Sequence, residues 1–307
     1  MLLSIVVPVF NEEESLPSFY KELKLSLKRD GDYEIIFVDD GSRDDSLDIL
    51  KGIAQKDKLV RIYSFRRNQG KAEALTLGFQ KAKGERIVTL DADLQDKPDQ
   101  INLLEQKLNL GFDLVCGWRK DRKDSLGHII FSKVFNFLAR MLWGVRLHDY
   151  NCGLKIYKAE CAKSMRLYGG LHRFIPLLAN DQGFKVAEVS IVHQKRQFGK
   201  SKYGISKVWK DLPDMFTMFF LSKYGKRPMH FFGIIGGSLS LLGFLIILYL
   251  YIFVHSLGET ITARPLFYFG VIMLLAGFQI FFTGFLADLL INKSYQQNSP
   301  SLKYSTE

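Results

Sequence analysis

Cysteine is scarce in this chain of 307 residues, which holds only Cys116, Cys152 and Cys161. They form no CxxC pair and leave an odd count, which argues against a disulfide framework and a thiolate zinc site and makes a reducing compartment the simplest setting. A glycine fingerprint of the form GxGxxG is also missing after the first apolar run. Its place holds Pro8, Val9, Phe10, Asn11 and Glu12, which counts against a nicotinamide dehydrogenase. The opening MLLSIVVPVFNEEES has no basic leader, is broken by Pro8 and runs into three acids, so it reads as a strand and not as a signal peptide. No internal repeat or low-complexity tract is present. Acids are outnumbered, 32 Asp and Glu against 42 Lys and Arg, for a formal charge of +10. That excess implies an anionic partner, and charge alone does not separate nucleic acid, lipid head groups and phosphorylated substrates.

What is present falls into two compositions. Up to about Arg119, short β-rich runs (SIVVPVF, YEIIFVDD, LVRIYSF, RIVTLDAD, FDLVCGW) alternate with helical stretches at Glu12–Lys28, Asp44–Lys56, Lys71–Lys83 and Pro98–Leu110. Continuous apolar strands in strand-helix alternation predict a parallel sheet covered on both faces, with ligands at the carboxyl ends of its strands. Those ends read PVFNEE, VDDGS, SFRRNQGK and LDADLQ, so acids and amides collect on one edge. The far end of the chain differs. Met229 to His255 carries no Asp, Glu, Lys or Arg, and Pro265 to Ile291 carries only Asp288. Each run is long enough to cross a hydrocarbon core of about 30 Å at about 1.5 Å per residue. Lys223, Lys226 and Arg227 crowd the entry of the first run, while the link SLGETITARP holds only Glu259 and Arg264. The positive-inside tendency then predicts a hairpin in the cell membrane, a multi-pass protein with its large amino-terminal part and its tail both cytoplasmic. Two further stretches, GHIIFSKVFNFLARMLWGV and ISKVWKDLPDMFTMFFLSKYGKRP, mix apolar, aromatic and basic residues at helical spacing, as interfacial helices do. The expected divisions are residues 1–204, a juxtamembrane helix at 205–228, two spans within 229–291 and a polar tail at 292–307.

The acids need a reason. In TLDADLQ, an extended backbone would turn Asp91, Asp93 and Gln95 to one face, three oxygen donors suited to a hard divalent cation. An EF-hand loop is excluded, because its required Gly and Glu positions hold Asp96 and Asn102. In VDDGS, Asp39 or Asp40 is placed to accept from base N–H groups or ribose hydroxyls, with Gly41 in a turn and Ser42 as a helix cap. In NQGKAEAL, Gly70 permits close backbone approach and Lys71 opens a helix, an arrangement useful against a diphosphate.

Together SIVVPVFNEEESL, VDDGSRDDS, NQGKAEAL, LDADLQDKP, DYNCGLKIY, LHRFIPLL and QKRQFGKSKYG resemble, in that order, glycosyltransferase family 2 in its polyprenyl-phosphate branch. The likeness covers about Leu2 to Tyr224, and the two-span hairpin matches bacterial members. It implies an α/β, Rossmann-like A-type glycosyltransferase domain with interfacial amphipathic helices and a carboxyl-terminal transmembrane hairpin. The implied reaction is inverting transfer of a hexose from a nucleotide diphosphate sugar to a polyprenyl phosphate such as undecaprenyl phosphate, with Mg²⁺ or Mn²⁺ as cofactor. UDP-glucose is the expected donor, ahead of GDP-mannose, UDP-N-acetylglucosamine and UDP-galactose. Nucleic acid is not among the implied partners, and oligomeric state, a homo-oligomer included, is left open.

Carried over by position, Pro8, Phe10, Asn11, Glu12, Asp39, Asp40, Gly70, Lys71, Asp91, Ala92 and Asp93 would contact the nucleotide. Asp91, Asp93 and Gln95 would form the metal set, with Asp91 nearer the ribose or one shell out. A phosphate monoester has its second pKa at about 6, so the acceptor is already a dianionic nucleophile and needs cations to hold it more than a base. Arg119, Ser132, Arg196 and Lys202 are the expected clamp. Asp93, Asp149 and Arg196 are the expected catalytic group, Asp149 by positioning sugar or acceptor, while His172 in LHRF suits a structural role as well as a chemical one. A processive synthase of the same superfamily would carry QxxRW and more spans, and neither is found. A catalytically silent nucleotide-sugar sensor is the reading from another class, and the intact acidic and basic strings weigh against it.

Overall fold

The computed structural model describes residues 2–27, 33–120, 140–141, 144–145, 147–194, 216–217, 219–220, 223–225, 227–254, 258 and 260–295. Two compact units result, Met1–Met218 and Phe219–Glu307.

The first unit is built on a seven-stranded sheet. Its strands are β1 (Leu3–Val9), β2 (Tyr33–Asp39), β3 (Val60–Ser64), β4 (Arg86–Thr89), β5 (Leu114–Arg119), β6 (Lys155–Lys158) and β7 (Val186–Ile191), in the order β3-β2-β1-β4-β6-β5-β7. β1 runs parallel to both β2 and β4, and β5 runs parallel to β7. The expected all-parallel sheet is corrected at one place: β6 lies antiparallel between β4 and β5. This four-residue strand from the CGLKIY segment carries too little pattern to stand out, and it inserts after the chain has already made β5.

Period-two side chains serve both faces of the sheet. Ile5, Val7 and Phe37 pack with Leu16, Phe19 and Leu23 of α1 (Leu16–Ser26), Leu50 of α2 (Ser46–Lys56) and Leu104 of α4 (Ile101–Leu108). Val6, Ile36 and Val38 face the other way, onto Ala72, Leu75 and Phe79 of α3 (Lys71–Lys81), Cys161 of α5 (Ala159–Ser164) and Ile175 of α6 (Ile175–Asp181). All three cysteines are buried and free.

The second unit contains α7 (Pro228–Tyr249), continued by a π turn over Leu250–Val254, and α8 (Pro265–Tyr295). Pro228–Val254 and Pro265–Ile291 are each 27 residues and long and apolar enough to cross a membrane. Only 11% and 17% of their most apolar windows are buried, which a soluble core helix would not tolerate. Leu241, Phe282 and Leu290 are among the large side chains left bare. Small residues bring the two backbones together. A Cβ on Gly236 would lie 2.6 Å from the Gly277 carbonyl oxygen, one on Gly243 2.6 Å from that of Gly270, and Ser240 Oγ donates to the Leu274 carbonyl at 3.3 Å. Asp288, the acid that interrupts the second run, sits with Oδ1 3.4 Å from the Met229 amide in the first turn of α7. Phe220, Tyr224, Phe231 and Phe232 cluster at that end, where aromatic side chains suit a membrane interface. The stretches expected to be interfacial helices fall mostly outside the described residues.

Candidate functional site

The carboxyl edge of β1, β2 and β4 gathers Pro8, Phe10, Asn11, Glu12, Asp39, Asp40, Gly70, Lys71, Asp91, Ala92, Asp93 and Gln95 from four separate stretches. Val9 pairs with Asp39 in the β1–β2 register, so the first two loops leave the sheet side by side. They are then stitched together: the Asn11 amide donates to Ser42 Oγ (2.9 Å), the Arg43 amide to Asn11 Oδ1 (2.9 Å) and the Glu12 amide to Ser46 Oγ (2.8 Å). Asn11 is left-handed, with φ of 52°, a conformation that asparagine tolerates better than most residues.

Asp39 and Asp40 are 1% and 4% exposed. Asp39 accepts from Ser64 Oγ at 2.6 Å and from the Ser42 amide at 3.1 Å. Asp40 accepts from the Gln69 amide (2.7 Å), the Gly70 amide (3.0 and 3.1 Å) and Asn68 Nδ2 (2.9 Å). Its carboxyl is pushed up by burial, against the pull of the Gln69 and Gly70 amides, with Glu73 and Asp39 adding repulsion. The expectation that Asp40 reads base or ribose is therefore revised, since its oxygens already hold the loop that leads into α3. Gly41, at φ +69°, has no alternative in this packing, because a Cβ there would stand 2.6 Å from the Arg67 carbonyl carbon.

Past β4 the sequence expectation fails in one respect. Extended backbone stops at Thr89, and Leu94 turns the chain with φ of 60°, so alternation no longer aligns Asp91, Asp93 and Gln95. Asp91 is claimed by Lys71, whose Nζ lies 2.5 and 2.7 Å from its two oxygens. Burial would raise the Asp91 carboxyl, but Lys71, then Lys155 and His172, hold it below the ordinary aspartate value. Gly153 of the DYNCG motif fits under this pair, since a Cβ there would lie 2.5 Å from Asp91 Oδ2. Asp93 Oδ1 accepts from the Gln95 amide at 3.2 Å, and both residues are half-buried. Among the described residues, no three His, Cys, Asp or Glu side chains converge as a metal centre. The donors that do fit a hard cation are the Asp93 carboxylate and the Gln95 carboxamide oxygen, with Asp91 set aside by its lysine.

Beneath Lys71 and Asp91 a small polar cavity is lined by Thr89, Lys155, Tyr157 and His172. Lys155 is buried and donates to the Cys152 carbonyl. Loss of water around His172, with the charges of Lys71 and Arg173, drives its pKa down to about 3. The ring is neutral at physiological pH.

Arg119 and Asp149 come together at the end of β5, through Nε to Oδ2 at 2.7 Å and Nη2 to Oδ1 at 3.1 Å. Asp149 is buried and Arg119 is mostly so, with 3% and 12% of their side chains exposed. Burial alone would lower the Arg119 pKa, and Asp149 more than reverses that. The expected roles, one an acceptor clamp and the other a sugar positioner, thus fall on a single ion pair. Beside it Trp118 stacks on His148 with centroids 4.2 Å apart, and His148 pairs with Glu188. Ser132, Arg196 and Lys202 lie outside the described residues.

Sequence reasoning missed Asp96, Gln100 and His193, all buried. Asp96 Oδ1 lies 2.9 Å from His193 Nδ1. Gln100 closes on the Val192 backbone, accepting its N–H at 2.6 Å and donating to its carbonyl at 3.0 Å. The available signal was local: a histidine just ahead of the basic string, and an acid and an amide just after DADLQ.

Glycosyl transferase family 2 matches residues 4–165. The chain is 38% identical to the dodecaprenyl-phosphate galacturonate synthase of Rhizobium johnstonii, over 97% of this chain and 90% of that protein. It is 32% identical to the undecaprenyl-phosphate 4-deoxy-4-formamido-L-arabinose transferase of Pseudomonas paraeruginosa, over 94% and 85%. Among solved structures, glucosyl-3-phosphoglycerate synthase of Mycobacterium tuberculosis with phosphoglyceric acid superposes with a TM-score of 0.56 at 20% identity, covering 72% of this chain and 79% of that one; that likeness is one of fold. An acid-lined carboxyl edge on a mixed α/β sheet, a matching fold and two relatives aligned over nearly their whole length agree: the chain belongs to glycosyl transferase family 2.

Proposed function

We propose that the protein transfers a sugar, with inversion, from a UDP-sugar to a polyprenyl phosphate at the cytoplasmic face of the membrane that α7 and α8 cross. A phosphate oxygen of the lipid attacks the anomeric carbon. The bond from that carbon to the diphosphate oxygen breaks, and the electron pair leaves with UDP. No strong base is needed, because a phosphate monoester with a second pKa of about 6 arrives largely deprotonated.

The chain's own groups divide the work. Asp40 and Gly41 shape the 67–70 loop, and Asn11, Glu12 and Asp39 form the wall that receives the nucleoside. Lys71, held out by Asp91, meets the diphosphate at the start of α3. Asp93 and Gln95 would hold Mg²⁺ or Mn²⁺, a cation that when bound would supply positive charge to offset the negative charge developing on the departing UDP. The fold neighbour glucosyl-3-phosphoglycerate synthase was crystallised with Mn²⁺ and UDP together. Arg196, Lys202 and Ser132 clamp the acceptor phosphate. Arg119 and Asp149, already paired, position the sugar between the two.

The observation that carries this reading is the 38% identity to a dodecaprenyl-phosphate galacturonate synthase across 97% of the chain. It also moves the donor sugar away from glucose. We take a UDP-hexuronic acid as first choice, and the formamido-arabinose of the more distant relatives as second. The test is to incubate the purified full chain in detergent with undecaprenyl phosphate and a panel of radiolabelled UDP-sugars, with and without EDTA, and to count label in the organic extract. Label from UDP-galacturonate above UDP-glucose, abolished by EDTA and restored by Mn²⁺, is the expected result. No lipid label from any donor would remove the reading, and undiminished turnover in EDTA would remove the roles of Asp93 and Gln95.

A further inference from the structure

We propose that Glu188 is a positioning residue for the transfer: together with Trp118 it holds residues 148–149 so that the Arg119–Asp149 ion pair keeps one fixed place beside the sugar. The inference rests on the sugar-positioning role proposed for that ion pair and adds the device that fixes it.

The device is built on two neighbouring strands. β5 and β7 run parallel with Cys116 opposite Glu188 and Trp118 opposite Ser190, so by period-two alternation Glu188 and Trp118 rise from one face of the sheet and Arg119 leaves from the other. The 148–149 segment addresses both. His148 meets Trp118 ring on ring, with centroids 4.2 Å apart and planes 18° from parallel, and Asp149 takes Arg119 at 2.7 and 3.1 Å. Adjacent residues of one segment thus seize adjacent residues of the other.

Glu188 ties that segment to β7. Its Oε2 accepts the His148 backbone N–H at 2.7 Å, and its Oε1 engages Nδ1 of the same residue's ring. One carboxylate therefore holds one residue by main chain and side chain together, from a position where its own side chain is 15% exposed. The N–H it grips lies one residue ahead of Asp149 and so sets where the Asp149 carboxylate starts from. Leu147 and Tyr150 anchor the same stretch in an apolar cluster with Phe174 and Leu177, but apolar burial has no direction. Hydrogen bonds to charged groups do, and they complete a path from β7 through Glu188, His148, Asp149 and Arg119 back to β5. Without the Glu188 link the carboxylate shifts and Arg119 follows it; a displacement of about 1 Å in a group that positions substrate costs about 10²-fold in rate.

The experiment reads initial rates of sugar transfer by the purified full chain in detergent, with undecaprenyl phosphate and the radiolabelled UDP-sugar that labels lipid best in the wild type, over a range of donor concentrations. Glu188→Ala is expected to lower kcat by about 10- to 10²-fold and to leave the donor KM within about twofold, because the nucleotide is gripped at β1, β2 and β4. Glu188→Gln keeps an oxygen for the His148 N–H and should recover most of the rate; thermal midpoints of both are read in parallel. The deciding step is a double-mutant cycle. In an Asp149→Asn background, Glu188→Ala should cost nothing further in kcat. Trp118→Leu removes the stacking face and keeps the carboxylate, and the same cycle run with it decides the matter if Glu188→Ala does not fold. Equal losses in both backgrounds, an unchanged kcat in the single variant, or a Gln variant as slow as the Ala variant would each overturn the proposal. If the wild type labels no lipid, the proposed reaction falls and takes this inference with it. If it labels lipid and only the cycle fails, the reaction stands and this inference alone is lost.

Discussion

Two acid pairs flank β1 on the same edge of the sheet, Asp39 with Asp40 after β2 and Asp91 with Asp93 after β4, and the chain treats them in opposite ways. The first pair is sealed and gives its oxygens to Ser42, Ser64, Asn68, Gln69 and Gly70. The second stays half-buried: Asp91 is matched to a lysine, and Asp93 Oδ1 accepts from the Gln95 amide in the turn after β4. Equal composition at equivalent strand ends therefore produces a wall in one place and a reactive rim in the other. What separates them is the kind of donor: backbone N–H groups and short polar side chains hold the first pair, and the ammonium of Lys71 sits on Asp91 in the second.

Substitutions can break this contrast, beginning with the rim. Asp93→Ala is expected to lower kcat by about 10³-fold, the scale seen when one group that stabilises transition-state charge is lost, while the thermal midpoint stays close to wild type. Next, Lys71→Met should cost about 10²-fold in kcat/KM and leave Asp91 without its main counter-charge, so the Asp91 carboxyl should rise under burial, stability at neutral pH should fall, and the part of the acid-induced stability loss that comes from Asp91 should shrink. Asp40→Ala inverts the pattern: three donors of the 68–70 loop lose their charged acceptor, stability falls by about 2 kcal/mol in thermal or denaturant melts, and kcat of the folded fraction changes little. An Asp40 variant that stayed fully stable but lost turnover would merge the two pairs into one functional class.

The smallest effect concerns His172. Its pKa in the folded chain, about 3, lies below the ordinary value of 6.5, so between those limits the unfolded chain binds the extra proton and stability rises with pH. His172→Asn should flatten the stability-pH curve from about pH 6.5 downward. It should also leave the pH profile of kcat without any step that the wild type assigns to this ring.

Much of the scaffold was legible because apolar runs and turn residues act locally. The strands β1 to β5 and the start of α3 at Lys71 follow directly from their own sequences, and so do the two long apolar helices. β6 escaped because four residues of KIYK gain their strand identity from neighbours on both sides, and those neighbours lie far away in the chain. The site divided along the same line. Residue types at the edge were readable, and their mutual engagements were not: nothing in DADLQ announces that Lys71 will occupy Asp91, and nothing in DYNCG announces that Asp149 will lock onto Arg119. The Asp96–His193 pair joins positions almost a hundred residues apart, and neither stretch stands out when read alone.

The contact between Asp288 and the first turn of α7 fixes a matter of parity. Because the last turns of α8 return alongside the first turn of α7, a chain that crosses by this hairpin comes back to the leaflet from which it set out. A reporter enzyme fused after Tyr295 should therefore share a compartment with one inserted before Pro228, whichever compartment that is.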